Sequence, residues 1–295
     1  MIASVLREIR IHQWIKNLLI FAPLIFSRKL FDQTAFVNAS LAFLAYCLAA
    51  SAIYVINDLK DIDSDRLHPV KKHRPLASGQ LSRPIGIALV LICVALCCTL
   101  LVVLNDGILM MILLAYCVIN VLYSLYFKNI SIIDCFFIAL GFELRIIAGC
   151  KAINVLPSDF ILVVTFFLAL MLGFVKRKGE LKVLSQDAEN HRKVLSDYSI
   201  GMMDKFIYSC STMTLISYMF YTIDKNVVGL VGHDYLKYSL IFVVYGLFRF
   251  VQLADIDKFQ GEGDPTTLIY KDKPVQLTLA LYLVFVLFCF YGHWN

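Results

Sequence analysis

The hydrophobic and polar positions along the chain alternate in long blocks. Apolar stretches, each near or above the length that crosses a bilayer as a helix, are separated by short polar segments. They fall at about 18–32, 36–56, 85–104, 108–127, 131–150, 159–175, 204–223, 236–253 and 274–292. Because a chain in lipid must satisfy its own backbone polar groups, runs of this length predict helices. The pattern therefore predicts an all-α polytopic membrane protein with nine transmembrane helices, forming a single integral-membrane domain over residues 1–295. The longer polar segments follow the second, sixth and eighth stretches, as loops capping one end of a bundle. The segment 187–198 is too polar to cross and predicts a cap. No small-residue cleavage pattern follows the first apolar run, so no cleavable signal is expected.

Composition agrees: 60% of the residues are hydrophobic and only 17% charged, with a mean hydropathy of +0.75, values outside those of water-soluble domains. Charge adds an orientation. Of the 27 lysines and arginines, 20 fall in the N-terminus or the loops after even-numbered stretches and five on the other side. Positive charge favours the cytoplasm, so the even-numbered helices are expected to end there. The net charge of +5 follows from this asymmetry and calls for no nucleic-acid partner. A homo-oligomer is compatible with the sequence. The nine cysteines lie almost entirely within apolar stretches and without metal-ligand spacing, as small packing residues.

The chemistry concentrates where the second stretch ends. Asn57-Asp58-Leu59-Lys60-Asp61-Ile62-Asp63-Ser64-Asp65-Arg66 holds four aspartates in eight residues. If the helix continues through them, Asn57 and Asp58 each lie one turn before Asp61, and Asp61 one turn before Asp65, so one face carries an amide and three carboxylates. Carboxylates so close repel, unless a cation lies between them. Hard oxygen ligands without Cys or His favour Mg²⁺, which is usually completed by substrate phosphates. The alternative is a solvated acidic helix end. His68-Pro69-Val70-Lys71-Lys72-His73-Arg74-Pro75 follows, and Lys71, Lys72 and Arg74 could grip an anion on its far side. A basic juxtamembrane loop is the ordinary reading of the same residues.

Further candidates are scattered. Arg10-Ile11-His12-Gln13-Trp14-Ile15-Lys16-Asn17 has the make-up of an interfacial amphipathic segment, from which Lys16 and Asn17 reach toward a phosphate. Tyr126 and Lys128 fit either an aromatic belt with a snorkelling cation or a phosphate contact. Glu143 and Arg145, inside the fifth stretch, are expected to line a polar cavity. Lys176, Arg177 and Glu180 close the sixth stretch on the face that carries the aspartates and could oppose them across a shared mouth; a surface ion pair between Lys176 and Glu180 is the plain alternative. Arg249, Asp255 and Asp257 precede the turn-rich Gly261-Glu262-Gly263-Asp264-Pro265, whose glycines match no phosphate-binding fingerprint.

The motif Asn57-Asp58-x-x-Asp61-x-x-x-Asp65 resembles the first aspartate-rich motif of the UbiA superfamily of membrane prenyltransferases, helical bundles of nine spans. Gln13-Trp14-Ile15-Lys16-Asn17, Asp65-Arg66-x-His68-Pro69-x-Lys71-x-x-Arg74-Pro75, Gly141-Phe142-x-Leu144-Arg145 and Lys176-Arg177-x-x-Glu180-Leu181 resemble the branch that contains the decaprenyl-phosphate phosphoribosyltransferases. This resemblance implies transfer of 5-phosphoribose from phosphoribosyl pyrophosphate to a polyprenyl phosphate, with Mg²⁺ and release of diphosphate. Prenyltransferases of the superfamily carry a second aspartate motif where this chain has Lys176, Arg177 and Glu180. That exchange of acid for base suits a donor with an additional 5-phosphate.

On this reading Asn57, Asp58, Asp61 and Asp65 hold the metal, and Asp58, Asp61, Asp65 and Glu180 are the acidic residues expected to serve catalysis. Lys71, Lys72, Arg74, Lys176 and Arg177 clamp the donor phosphates, and Lys16, Tyr126, Lys128 and Arg145 receive the lipid phosphate. The expected location is a bacterial inner membrane with the active site facing the cytoplasm. Two other functions remain open: prenyl transfer from a diphosphate to an aromatic or other acceptor, and lipid binding or transport without turnover. Charges gathered at one face rather than at mid-membrane weigh against transport.

Overall fold

A computed structural model describes residues 1–67, 71–183, 193–256 and 271–292. Every regular element among them is helical. The helices used below are α1 (Ile2–Glu8), α2 (Gln33–Lys60), α3 (Arg83–Leu104), α4 (Gly107–Leu125), α5 (Ile133–Ala152), α6 (Asp159–Val183), α7 (Ile200–Ile223), α8 (Leu240–Asp255) and α9 (Lys273–Tyr291). His68 and Pro69, the segment with Asp187, Glu189, His191 and Arg192, and the loop with Asp257 and Gly261–Pro265 lie outside the described residues.

Helix ends follow local chemistry. Asp32, Ser199 and Asp272 cap α2, α7 and α9 by accepting from the amides of Ala35, Met202 and Val275 at 3.0, 3.2 and 3.0 Å, which satisfies donors a helix start leaves free. α3 ends on Asn105, in the left-handed conformation at φ 48°, a residue type that tolerates it.

Two compact units emerge: Met1–Leu125 with Leu144–Leu156, and Tyr126–Glu143 with Pro157–Asn295. The chain passes between them within α5. In the first unit, α2 lays a row of buried alanines (Ala35, Ala39, Ala42, Ala45, Ala49) against α3, small residues that let apolar helices approach closely. Gly149 on α5 is required by a closer contact still, since a Cβ there would stand 2.3 Å from the Ile20 carbonyl oxygen. In the second unit α6 packs along α7 and α8 along α9, with Phe174, Met203, Ile207 and Phe250 in its core. All nine cysteines are free thiols and most are buried, as their apolar surroundings predict.

Six helical segments among the described residues are long and apolar enough to cross a membrane: α2, α3, α4, α6, Tyr235–Asp255 and α9. α5 and α7, of 20 and 24 residues, match two further predicted stretches but carry more polar groups, including Asp134, Glu143 and Arg145 on α5 and Asp204 and Lys205 on α7. The first predicted stretch, 18–32, differs. The chain instead forms 3₁₀ turns over Ile11–Phe21 and a short helix over Ala22–Phe26. Pro23 restarts the helix, and Ser27 closes it by donating to the Pro23 carbonyl at 2.6 Å before the chain turns at Arg28, φ 58°.

Candidate functional site

The aspartate stretch is helical with one break. α2 ends at Lys60, Asp61 leaves helical geometry, and a short helix resumes over Ile62–Leu67. The backbone ladder nevertheless carries across, with Asp61 N–H on the Asn57 carbonyl at 2.9 Å and Asp65 N–H on the Asp61 carbonyl at 2.8 Å. The succession of turns expected from the spacing is therefore kept. Asp58 and Asp65 point inward and are each 3% exposed, Asp61 is half-buried, and Asp63 is exposed.

Two arginines meet the buried carboxylates. Arg74 donates from Nη1 to Asp58 Oδ1 at 2.9 Å and to Asp65 Oδ2 at 2.7 Å. Arg10 donates from Nη2 to both Asp58 oxygens, at 2.6 and 2.7 Å. Its guanidinium lies 4.7 Å from the centre of the Tyr54 ring, a stabilising placement for a cation. The segment that holds Arg10, expected along the interface, is fastened to α2. Trp14 Nε1 donates to Ser51 Oγ at 3.1 Å, and Ser51 donates to the Ile9 carbonyl at 2.7 Å. Arg10 itself takes a left-handed backbone, φ 53°, which an ordinary side chain adopts only when its surroundings impose it.

Glu8, which no motif singles out, completes this cluster. It is 1% exposed. Its Oε2 accepts from Leu76 N–H at 3.3 Å, while Oε1 is buried without a hydrogen-bond partner. Burial pushes the carboxyl up to about 7, and the nearby Asp58 adds to the rise; the Leu76 amide, Arg10 and Arg74 oppose it. Asn57 accepts from Ser124 Oγ at 2.8 Å, which fixes its amide at the end of α4. Lys71 and Lys72 sit on a single 3₁₀ turn leading to Arg74; Lys72 is exposed, and Lys16 and Lys71 are half-buried.

Arg145, expected beside a cavity, is 6% exposed within a polar cluster of the first unit. It donates from Nε to Asn17 Oδ1 at 2.7 Å and from Nη2 to the Tyr116 hydroxyl at 3.0 Å. Asn17 in turn donates to Cys47 Sγ at 3.2 Å. Glu143 is half-buried, with one carboxylate oxygen lacking a partner.

In the second unit Arg177 is fully buried. It donates from Nε to Asp134 Oδ2 at 2.6 Å and from Nη1 to Glu180. Glu180 thus accepts from Arg177, one turn back along α6. Asp134 also accepts from the Tyr198 hydroxyl at 3.0 Å, and that hydroxyl accepts from Ile132 N–H. Lys178, 3% exposed, joins Asp204 of α7 to Asp255 of α8. An acid or base inside an apolar helix is the signal that could have singled out Asp134 and Asp204. Lys176 and Lys128 are half-buried, and Tyr126 is 63% exposed.

Among the described residues no three acidic, histidine or cysteine side chains converge as a ready metal cage. The donor set still suits Mg²⁺, which is characteristically held by one or two carboxylates together with waters and substrate phosphates.

Sequence and fold comparisons show what this chain is similar to. A protein of Corynebacterium glutamicum named decaprenyl-phosphate phosphoribosyltransferase is 30% identical over 288 residues, covering 96% of this chain and 85% of the relative. One of the same name from Mycolicibacterium smegmatis is 28% identical over 294 residues, covering 96% and 91%. The structure of a UbiA homolog from Archaeoglobus fulgidus bound to DMAPP and Mg²⁺ superimposes with a TM-score of 0.71 at 19% identity, covering 98% of this chain and 100% of the other. The UbiA prenyltransferase family matches residues 20–265. The chain is an integral membrane protein and belongs to the UbiA prenyltransferase family.

Proposed function

We propose that the protein transfers 5-phosphoribose from phosphoribosyl pyrophosphate to a polyprenyl phosphate and releases diphosphate. The observation that carries this reading is the alternation of buried Asp58 and Asp65 with Arg10 and Arg74. Such a cluster can hold a divalent cation and a polyanion together. Support for the donor comes from two relatives that cover nearly the whole chain and bear the name decaprenyl-phosphate phosphoribosyltransferase.

Asp58 and Asp65, with Asn57 and Asp61 beside them, would hold Mg²⁺, which when bound offsets the charge gathering on a departing diphosphate. Arg10 and Arg74 then exchange carboxylate oxygens for phosphate oxygens, a geometrically similar partner for a guanidinium. Lys71 and Lys72 are assigned to the donor's remaining phosphate oxygens, and Lys16 to the lipid phosphate. Arg177, expected to clamp a donor phosphate, and Glu180, expected to serve catalysis, are assigned to holding their helix end, and Arg145, expected at the lipid phosphate, to its neutral cluster. The bond from ribose C1 to the diphosphate oxygen breaks as C1 bonds to an oxygen of the lipid phosphate. That nucleophile is already anionic at neutral pH, so the chain needs no general base. Positioning and electrostatic stabilisation supply the rate.

A second reading is transfer of a prenyl group from its diphosphate. It is favoured by solved relatives of the same fold bound to DMAPP or GPP with Mg²⁺. Purified protein supplied with Mg²⁺ and either phosphoribosyl pyrophosphate plus polyprenyl phosphate, or a prenyl diphosphate plus an aromatic acceptor, separates the two. Diphosphate released only in the first mixture, and lost in Asp58→Ala, is expected. Release only in the second would replace the phosphoribosyl reading.

We further assign the protein to a bacterial inner membrane, with the Asp58 end facing the cytoplasm, on the one-sided distribution of lysine and arginine. The six long apolar segments together with α5 and α7 support eight of the nine expected crossings, and the family match runs through both units.

A further inference from the structure

In the second unit, α8 and α9 enclose a groove of about 430 Å³ lined by Tyr245, Lys273, Pro274, Leu277, Thr278 and Leu281. The helices meet closely at its side, where a Cβ on Gly246 would lie 3.8 Å from Thr278 Cγ2. Lys273, Leu277 and Leu281 follow one another at four-residue intervals, so they form a single stripe along α9. The stripe is basic at the start of the helix and apolar beyond it. Leu277, Leu281 and Tyr245 are 61%, 47% and 48% exposed, which places the groove on the outer surface of a helix pair that lies in lipid.

The charges at the basic end are unequal. Arg249 is closed onto Asp272, with Nη2 to Oδ2 at 2.7 Å, and Asp272 also caps α9. Lys273, next in sequence, is exposed and forms no ion pair among the described residues. One uncompensated ammonium therefore stands at the head of an apolar trough.

We propose that this groove is a binding site for an anionic phospholipid, with its phosphate on Lys273 and one acyl chain along Leu277, Leu281 and the Tyr245 ring. Charge complementarity selects this occupant. A basic residue at a helix end in the headgroup region favours anionic over zwitterionic lipid by about 1 kcal/mol, or about fivefold in affinity. A trimethylammonium headgroup would put a second cation beside Lys273.

The test is native mass spectrometry of the full chain, equilibrated with equal amounts of phosphatidylglycerol and phosphatidylcholine. The expected result is about fivefold more retained phosphatidylglycerol. Lys273→Gln should bring the two lipids to parity, and Lys273→Arg should restore the preference. Leu277→Trp, which fills the trough, should lower retention of both. As a control for folding and general charge, Lys237→Gln, whose lysine pairs with Asp234 elsewhere, should leave the preference unchanged. Equal retention by the native chain, or a preference that survives Lys273→Gln, would overturn the proposal. So would polyprenyl phosphate displacing phosphatidylglycerol from the groove, or a second copy of the chain bound in place of lipid.

Discussion

Asp58 and Asp65, seven positions apart, are joined by one nitrogen: Arg74 Nη1 stands 2.9 Å from the first carboxylate and 2.7 Å from the second. Asp58 also receives Arg10, so the buried carboxylates and the two guanidiniums form a compact, alternating set. Each charge depends on the others. Removing one leaves its partner in a poorly solvated position, which is more costly than never having had the pair.

Asp58→Ala should therefore lower stability by about 3 kcal/mol, since it leaves two arginines facing each other. It should also reduce diphosphate release at least about 100-fold, the scale of losing one transition-state electrostatic contact. Chemical unfolding in detergent and a diphosphate assay read the two effects separately.

Arg10→Gln should act with opposite signs on two ligands. Freed from one of its guanidiniums, Asp58 should bind Mg²⁺ more tightly in titrations without donor. The donor's KM should rise, because a phosphate contact is lost. Weaker binding of both would mean that Arg10 serves only to shape the cluster.

Glu8 provides a pH dependence. Its carboxyl is raised to about 7 in the folded chain, above the ordinary value near 4.5. Between these values the folded state holds the extra proton, so stability must fall as pH rises. The contribution is fully present below pH 4.5 and is lost as pH passes through 7. Glu8→Gln should remove this slope, stabilising the protein at pH 8 more than at pH 6 in thermal unfolding.

The second unit has a comparable test. Asp134→Ala removes one of the two carboxylates that meet the fully buried Arg177 and should cost about 3 kcal/mol. Tyr198→Phe removes one hydroxyl shared by Asp134 and Ile132 and should cost only about 1–2 kcal/mol. Arg177→Lys should not restore stability, because an ammonium cannot reproduce the planar donors that meet Asp134 and Glu180.

Glycine substitutions distinguish contact from open space. Gly149→Ala would drive a methyl into the Ile20 carbonyl at 2.3 Å and should cost about 2 kcal/mol or more, as other overpacked sites do. Gly179→Ala, with nothing within 4 Å, should be stabilising by about 0.5–1 kcal/mol through helix propensity. Thermal unfolding of the two variants should move in opposite directions.

The helical class was legible because lipid imposes one solution on long apolar runs, and Asp58, Asp65 and Arg74 were legible because four acids followed by a basic run stand out against such a background. Arg10 and Glu8 were not. One looked like an interfacial arginine and the other like any acid in a short amphipathic helix. Their placement depends on Ser51 and Leu76, 41 and 68 positions away, and no local pattern encodes such distant partners. The pairing of Arg177 with Asp134 was not legible either, because Asp134 lies 43 positions earlier. The first stretch, expected over 18–32, ends its helix at Phe26 because the chain turns at Arg28, in the left-handed region at φ 58°.

The tie from Trp14 through Ser51 to the Ile9 carbonyl has a practical consequence. Because it sets where Arg10 stands, the leading residues help to shape the proposed donor site. An affinity handle or fluorescent fusion joined to Met1 would pull on that tether, and trimming the chain to its first long helix would remove Arg10 along with it.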